Sequence, residues 1–181
     1  MIIGLTGLPA AGKGTVAKYL VDRYKAKQIR FSDPLRDIAA RLYVKPTREH
    51  LSHLGVFVRS EFGVDVLEQT LLKDIEKTSH PLYVLDGVRF LDEIEALSKR
   101  PDFSLWALDT TFEKRYERII KRGENSGEKL LSKEQFEAHQ NLETERSIPD
   151  VMKKAAVLID NNGTIDELYK KVDEYITNLQ R

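Results

Sequence analysis

The sequence contains no cysteine, no excess of either charge and no long apolar run. The absence of cysteine excludes disulfides and thiolate metal sites. Lysine plus arginine (29) equals aspartate plus glutamate (29), which argues against a general electrostatic grip on nucleic acid. No apolar stretch approaches the roughly 20 residues that span a bilayer. Because the N-terminal MIIGLT lacks a basic leader, we expect a cytoplasmic protein without a membrane partner.

Short apolar runs alternate with amphipathic segments along the chain. Five runs are predicted strands, namely MIIGLT, AKQIRF, PLYVLD, FSLWALD and AAVLID. The segments between them have helical spacing, which predicts an α/β fold with a parallel sheet covered on both faces. Three helical regions, at 34–45, 47–78 and 132–146, interrupt this alternation, and the second is expected to break near Gly55 and Gly63. Substrate pockets and lids are commonly built from such excursions.

The first strand leads into GLPAAGKGT, which opens an amphipathic helix. A glycine-rich turn between a strand and a helix can wrap a phosphate with backbone N–H groups, and the helix dipole adds to the attraction. The lysine supplies a positive charge to the β- and γ-phosphates of a nucleotide. The predicted nucleotide-phosphate contacts are Gly7, Ala10, Ala11, Gly12, Lys13, Gly14 and Thr15.

The residue after the lysine is Gly14, where a phosphate loop usually has a hydroxyl that coordinates Mg²⁺. Its absence argues against a GTPase or a motor ATPase, and the chain has no Asn-Lys-x-Asp base-reading motif. The spelling GxxxxGKGT resembles the loop of adenylate kinase and other nucleoside monophosphate kinases. In those kinases the metal is held largely by phosphate oxygens and water.

Further segments share this resemblance on the acceptor side. In LYVLDGVRF, the resemblance implies that Asp86 orders the water shell of the metal and that Arg89 grips the acceptor phosphate. In FSDPLRDIA it implies a second acceptor-phosphate arginine, Arg36, while Asp33 either caps a helix or approaches the metal and the acceptor. Arg59 would complete a three-arginine clamp, with a surface role equally open.

The donor side and the lid resemble the same kinases. YERIIKRG is similar to the entry of their lid, which would place Arg118 and Arg122 over the transferring phosphoryl group. LIDNNGTIDEL resembles their last strand and the loop that passes the adenine base, here Asn162, Gly163 and Thr164. ENSGEKLLS is polar and contains glycine, which predicts a mobile loop between the two.

The whole layout is most similar to the archaeal dephospho-CoA-kinase-like branch of these kinases. The resemblance implies a P-loop NTPase fold, a three-layer α/β/α arrangement around a five-stranded parallel sheet. It also implies one domain over 1–181, with a helical acceptor-binding region at 34–80 and a short lid at 122–146. The departures concern the acceptor: DGVR lacks the proline of the adenylate kinase form, and the helical region is longer.

The predicted function is transfer of the γ-phosphoryl group of ATP, with Mg²⁺, to a nucleoside or deoxynucleoside monophosphate. Lys13, Arg118, Arg122 and Asp33 are the candidate catalytic residues, and Asp86 and Asp33 would contact the metal through water. One alternative is a dephospho-CoA kinase, in which Asp33 acts as the base for a ribose hydroxyl. Another is a nucleotide-dependent switch or assembly ATPase. The expected partner is a small phosphate acceptor rather than nucleic acid, and the chain is expected to be a monomer or weak dimer.

Overall fold

Five strands form one sheet in which every neighbouring pair runs parallel. The computed structural model describes residues 1–122, 130–140 and 143–179. The strands are β1 (Ile2–Thr6), β2 (Lys27–Ile29), β3 (Tyr83–Asp86), β4 (Phe103–Asp109) and β5 (Val157–Asp160). Their order across the sheet is β2-β3-β1-β4-β5. The predicted five-stranded parallel sheet is therefore confirmed.

The helices that connect these strands lie on both faces of the sheet. They are α1 (Lys13–Tyr24), α2 (Asp33–Arg41), α3 (Arg48–Phe62), α4 (Val66–Thr78), α5 (Leu91–Ser98), α6 (Phe112–Arg122), α7 (Lys133–Gln140), α8 (Glu143–Arg146), α9 (Ile148–Met152) and α10 (Ile165–Leu179). None of the helices in the described ranges is long and apolar enough to cross a membrane.

Side chains on the three central strands, β1, β3 and β4, alternate between two cores. On β1, Ile3 and Leu5 pack with α1 and α10, whereas Ile2 packs with α4 and α5 on the opposite face. On β4, Trp106 joins the first core and Leu105 the second. This period of two, with both faces buried, is the pattern of a parallel sheet between helical layers and confirms the three-layer arrangement.

The helical excursion between β2 and β3 differs from its prediction in two details. Gly55 does not break the helix, because α3 runs through it; a Cβ there would lie 3.3 Å from Leu35 Cδ1 and 3.3 Å from Arg59 Nη1, so the glycine lets those side chains approach. The predicted break at Gly63 is confirmed. Helix α2 ends at Arg41 rather than at residue 45, because Tyr43 is left-handed (φ 58°) and closes the last turn.

The segment between α6 and β5 is also more divided than predicted. The pattern predicted one helical region at 132–146, whereas the structure has two helices in that range, α7 and α8. A further helix that was not predicted, α9, follows them before β5. Residues 141–142 lie outside the described ranges. Residues 124–129 of the predicted loop ENSGEKLLS (124–132) also lie outside them.

Candidate active site

The loop between β1 and α1 is held by backbone conformations that favour glycine. Gly7 and Gly12 have φ values of 145° and 105°, and Ala10 is left-handed at 62°. A Cβ on Gly7 would lie 2.7 Å from the Leu108 carbonyl oxygen. These contacts wrap the loop tightly in front of the α1 N-terminus, which is the arrangement that binds phosphate.

Two buried polar side chains support this loop from the neighbouring strand ends. The Asn161 amide donates to the Ala11 carbonyl oxygen at 2.8 Å, and the Thr110 hydroxyl donates to the same oxygen at 3.1 Å. The Asn161 side chain also fills the space that a Cβ on Gly12 would need. The loop is thus fixed by β4 and β5 as well as by its own turns.

Lys13 is the first residue of α1, and its ammonium group bends back over the loop. It donates to the carbonyl oxygens of Gly7 at 2.6 Å and of Leu8 at 3.2 Å. Burial is the larger cause, and the nearby positive charge of Arg89 the next, of a Lys13 pKa that is lowered to about 8. The carboxylates of Glu145 and Asp86 act in the opposite direction. Lys13, Arg89 and Asp86 are therefore near neighbours, and the region that they share is called the Lys13 pocket below.

Gly14 and Thr15 lie in the first turn of α1, as predicted for the end of the loop. Nothing lies within 4 Å of the place that a Cβ on Gly14 would occupy. The glycine is therefore not required by packing, and a side chain at this position would have room beside the loop.

Asp86 ends β3 directly opposite Leu5 of β1, so its carboxylate lies at the carboxyl edge of the sheet. Gln28 donates to Asp86 Oδ2 at 3.0 Å, and the Arg30 guanidinium lies 3.6 Å from the same oxygen. The Asp33 carboxylate, at the start of α2, accepts the Arg30 backbone N–H at 2.7 Å. Asp33 thus closes the turn before α2, and Arg30 connects the two carboxylates.

Arg89 is held at three points. Its guanidinium Nη1 lies 3.1 Å from Glu145 Oε1, its carbonyl oxygen accepts the Ser147 hydroxyl at 2.6 Å, and its backbone N–H donates to Glu93 at 2.7 Å. Glu145 and Glu93 are both buried, and burial raises the pKa of Glu93 to about 7. These contacts fix an arginine beside the Lys13 pocket.

The other two predicted acceptor arginines lie in the helical excursion. Arg36 on α2 has a buried Nε with no hydrogen-bond partner among the described residues. Arg59 on α3 lies 3.8 Å from the buried carboxylate of Glu68 on α4. No described contact joins Arg59 to Arg36 or Arg89, so the three-arginine clamp stays a prediction.

Arg118 contacts the loop after β5, and its predicted place over the transferring phosphoryl group stays a prediction. Arg118 Nη2 donates to the Asn161 carbonyl oxygen at 2.9 Å, and its Nη1 is buried without a partner in the described part of the chain. The Asn162 side chain accepts the Thr111 backbone N–H at 2.9 Å. Arg122 is exposed on the last turn of α6.

Gly163 and Thr164 have contacts that belong to the start of α10. The Thr164 hydroxyl accepts the Glu167 N–H at 3.3 Å, and the Glu167 carboxylate accepts the Thr164 N–H at 2.7 Å. This reciprocal pair is a capping box, and the Glu167 carboxylate fills the space that a side chain on Gly163 would need. The predicted contacts of this loop with the adenine base stay predictions.

Arg115 is a buried cation near the loop that was not predicted from the sequence. Its guanidinium donates to the carbonyl oxygens of Thr110 at 3.1 Å and Pro9 at 3.4 Å, and to the Gln140 side chain at 2.7 Å. It also lies 5.7 Å from the centre of the Phe136 ring. Arg115 thereby joins the phosphate loop to α7.

Glu145, Glu93 and Asn161 were missed as well. Each lies in a helical or turn segment that carries several similar polar residues, so spacing alone does not distinguish the buried one. The one available signal was for Glu93, three residues after the helix-starting Phe90, a position from which a glutamate often closes the first turn.

Comparison with known proteins places this fold and loop among related chains. The family model described as "AAA domain" matches residues 6–137. The UPF0200 protein of Sulfurisphaera tokodaii is 30% identical over 98% of this chain and 97% of the relative. The UPF0200 protein of Methanoregula boonei is 26% identical over 99% of this chain and 98% of the relative.

The solved structures share the fold at lower identity. The structure titled as shikimate kinase from Bacteroides thetaiotaomicron superposes with a TM-score of 0.65, at 14% identity, over 98% of each chain. At this identity the likeness concerns the fold alone. Together with the family match, it confirms the predicted resemblance to P-loop kinases.

Proposed function

We propose that this chain, which belongs to the AAA domain family, transfers the γ-phosphoryl group of ATP to a nucleoside or deoxynucleoside monophosphate. The observation that carries the proposal is the closeness of two cations, Lys13 in the phosphate loop and Arg89 at the end of β3. The charge of Arg89 lowers the pKa of Lys13, which means that each destabilises the other in the absence of an anion. A phosphoryl group passing between a donor and an acceptor would relieve that repulsion.

The donor is held by the loop. Backbone N–H groups of Gly12 to Thr15 and the α1 dipole attract the β- and γ-phosphates, and Lys13 can exchange its two carbonyl contacts for phosphate oxygens. Asn161 and Thr110 keep the loop in shape before the nucleotide arrives. Preorganisation of this kind makes the site complementary to the charge of the transition state.

The residues present also fit Mg²⁺, which neutralises phosphate charge when bound. Asp86 supplies a carboxylate at the carboxyl edge of the sheet, near Lys13. The Arg30 guanidinium lies beside Asp86, and the Asp33 carboxylate accepts the backbone N–H of the same arginine. The described residues contain no cluster of three His, Asp or Glu side chains that could enclose a metal. Mg²⁺ usually keeps several waters and binds through one or two carboxylates plus substrate phosphates, which suits this donor set.

The acceptor is oriented by arginine. Arg89 faces the pocket with part of its side chain exposed, and Arg36 has an unpaired buried Nε. A phosphate oxygen of the acceptor attacks the γ-phosphorus while the bond to the β–γ bridging oxygen breaks, and ADP leaves with that electron pair. Because the attacking oxygen is already deprotonated, this step needs no general base, and positioning and charge neutralisation dominate the catalysis.

Arg118 and Arg122 are proposed to act from the lid side. Arg118 contacts the loop after β5 through one nitrogen and has a second, unpaired nitrogen available for phosphate. Closure of this side would exclude the water that otherwise accepts the phosphoryl group. The small-molecule acceptor is proposed to be the partner that completes the site.

An acceptor panel tests the proposal. Coupled ADP release is measured with each nucleoside and deoxynucleoside monophosphate, with dephospho-CoA, with shikimate and with no acceptor. We expect at least one monophosphate to raise ADP release well above the acceptor-free rate. Stimulation by dephospho-CoA alone would instead assign a hydroxyl acceptor, and release that no acceptor changes would assign an ATPase.

A further inference from the structure

Arg89 is gripped mainly by the chain segment that follows α7. Glu145 on α8 holds its guanidinium at 3.1 Å, and Ser147, just before α9, holds its carbonyl oxygen at 2.6 Å. Both contacts span more than fifty positions of sequence. The orientation of Arg89 is therefore determined by α8 and α9 as well as by the β3–α5 loop.

The Glu145–Arg89 pair is asymmetric. The Glu145 side chain is 5% exposed, whereas 37% of the Arg89 side chain remains exposed. Because a carboxylate removed from water needs a close cation, the burial of Glu145 favours its ion pair with Arg89. The arginine carries five N–H donors, and a single carboxylate contact leaves others available for an anion that enters the pocket.

Glu145 also acts on Lys13 across the same pocket. Four charged groups influence the Lys13 ammonium, and they come from separate parts of the fold. They are Arg89 in the β3–α5 loop, Glu145 on α8, Asp86 on β3 and Arg115 on α6. Of the two carboxylates, Glu145 has the larger influence on the Lys13 ammonium. It is placed to offset the repulsion between Lys13 and Arg89 while the pocket contains no phosphate.

We propose that Glu145 is a positioning residue, which holds the Arg89 guanidinium toward the acceptor phosphate and offsets the repulsion between Lys13 and Arg89 in the unliganded pocket. The orientation of Arg89 toward an acceptor phosphate rests on the proposed function. The charge balance around Lys13 does not depend on any acceptor. The residue acts through Arg89 and Lys13 and need not touch substrate.

The test uses Glu145→Gln, which preserves size and removes the charge. Asp150→Asn is the matched control, because Asp150 lies nearby on α9, is exposed, and pairs with Lys153 rather than with the pocket. Lys13 is titrated by NMR of ¹³C-lysine in the unliganded protein, with its signal assigned by its loss in Lys13→Met. This readout needs neither turnover nor an acceptor.

We expect Glu145→Gln to lower the Lys13 pKa below its value of about 8, and Arg89→Met to raise it, while Asp150→Asn leaves it unchanged. A merely structural glutamate would change the melting temperature without moving the Lys13 titration in this direction. An unchanged or raised Lys13 pKa in a folded Glu145→Gln protein would overturn the inference.

Kinetics with the best acceptor of the panel give the second readout. Glu145→Gln should reduce kcat/KM for the acceptor by roughly tenfold or more, since it removes a charge-assisted contact that orients Arg89. Glu145→Asp retains the charge on a shorter side chain, and it is the variant to use if Glu145→Gln does not fold. We expect it to keep the wild-type titration of Lys13 and to have a reduced kcat/KM for the acceptor. An Asp variant with wild-type kcat/KM, or a Gln variant with increased kcat/KM, would contradict the positioning role.

The two readouts also distinguish failure of this inference from failure of the proposed function. If no acceptor supports transfer while the Lys13 titration shifts as expected, the proposed kinase function fails and the charge balance stands.

Discussion

Glu93 carries two backbone contacts on a single buried carboxylate oxygen. It accepts the N–H groups of Arg89 at 2.7 Å and of Phe90 at 3.1 Å, and so fixes the loop that carries Arg89. Those two N–H groups favour the charged carboxylate, but burial outweighs them and raises the pKa of Glu93 from 4.5 to about 7. At the residue scale, the loop geometry is therefore linked to pH.

The sign of this linkage follows from the raised pKa. The folded protein binds the Glu93 proton more tightly than the unfolded chain, so the contribution to stability is fully present below pH 4.5 and is lost as pH rises through about 7. A shift of this size corresponds to roughly 3 kcal/mol. We expect Glu93→Gln, which keeps an oxygen for both N–H groups, to remove most of the fall in unfolding free energy between pH 5 and pH 8.

Urea unfolding at a series of pH values measures this effect. Asp92→Asn is the matched control, because Asp92 is the exposed neighbour on the same first turn of α5. The control should retain the wild-type pH dependence. A Glu93→Gln protein with the same pH dependence as wild type would show that another group is responsible.

The phosphate loop shows at the scale of an element how packing separates similar glycines. Gly12 is left-handed and its missing Cβ makes room for the Asn161 amide, whereas Gly14 is helical and faces open space. Asn161 joins the loop to β5, and Arg115 joins it to α6 and α7. The loop is therefore one part of a unit that includes the starts of α1, α6 and α10.

Alanine substitution at the two glycines should have opposite effects on stability. Gly12→Ala introduces a side chain at positive φ and into the Asn161 amide, so we expect a loss of about 1–3 kcal/mol. Gly14→Ala replaces glycine in a helix without a clash, so we expect no loss and up to about 1 kcal/mol of gain. Urea unfolding of both variants distinguishes them; equal destabilisation would contradict the assigned loop geometry.

At the scale of the whole molecule, periodicity predicted the sheet because both faces of the central strands β1, β3 and β4 are buried and their apolar runs have no competing interpretation. The loop GLPAAGKGT and the strand ending in Asp86 were likewise readable, since strand ends and glycines have fixed meanings in parallel sheets. Gly55 was misread because its effect depends on Arg59 and Leu35 approaching it, which local propensity does not contain.

The supporting charges could not be predicted for a related reason. Arg115 lies among several exposed charged residues of α6, and Glu145 lies next to the exposed Arg146 on α8. Only long-range packing buries these two side chains, against Phe136 and Arg89 respectively. Because a charged residue on a helix is most often exposed to solvent, the sequence pattern predicts an exposed side chain for both residues, and both are buried. The sequence reveals the residues that are proposed to contact nucleotide, whereas the residues that hold them in place are visible only in the fold.

The most direct test of the central claim follows the γ-phosphoryl group itself. Wild-type protein is incubated with Mg²⁺, ATP labelled at the γ-phosphorus and the preferred nucleoside monophosphate, and the labelled products are separated. Lys13→Ala is compared with Lys18→Ala, an exposed lysine on the same helix that pairs with Asp22. The account predicts label on the nucleoside diphosphate for wild type and Lys18→Ala, and a loss of at least roughly a hundredfold for Lys13→Ala. Label that accumulates only as inorganic phosphate, or undiminished transfer by Lys13→Ala, would contradict it.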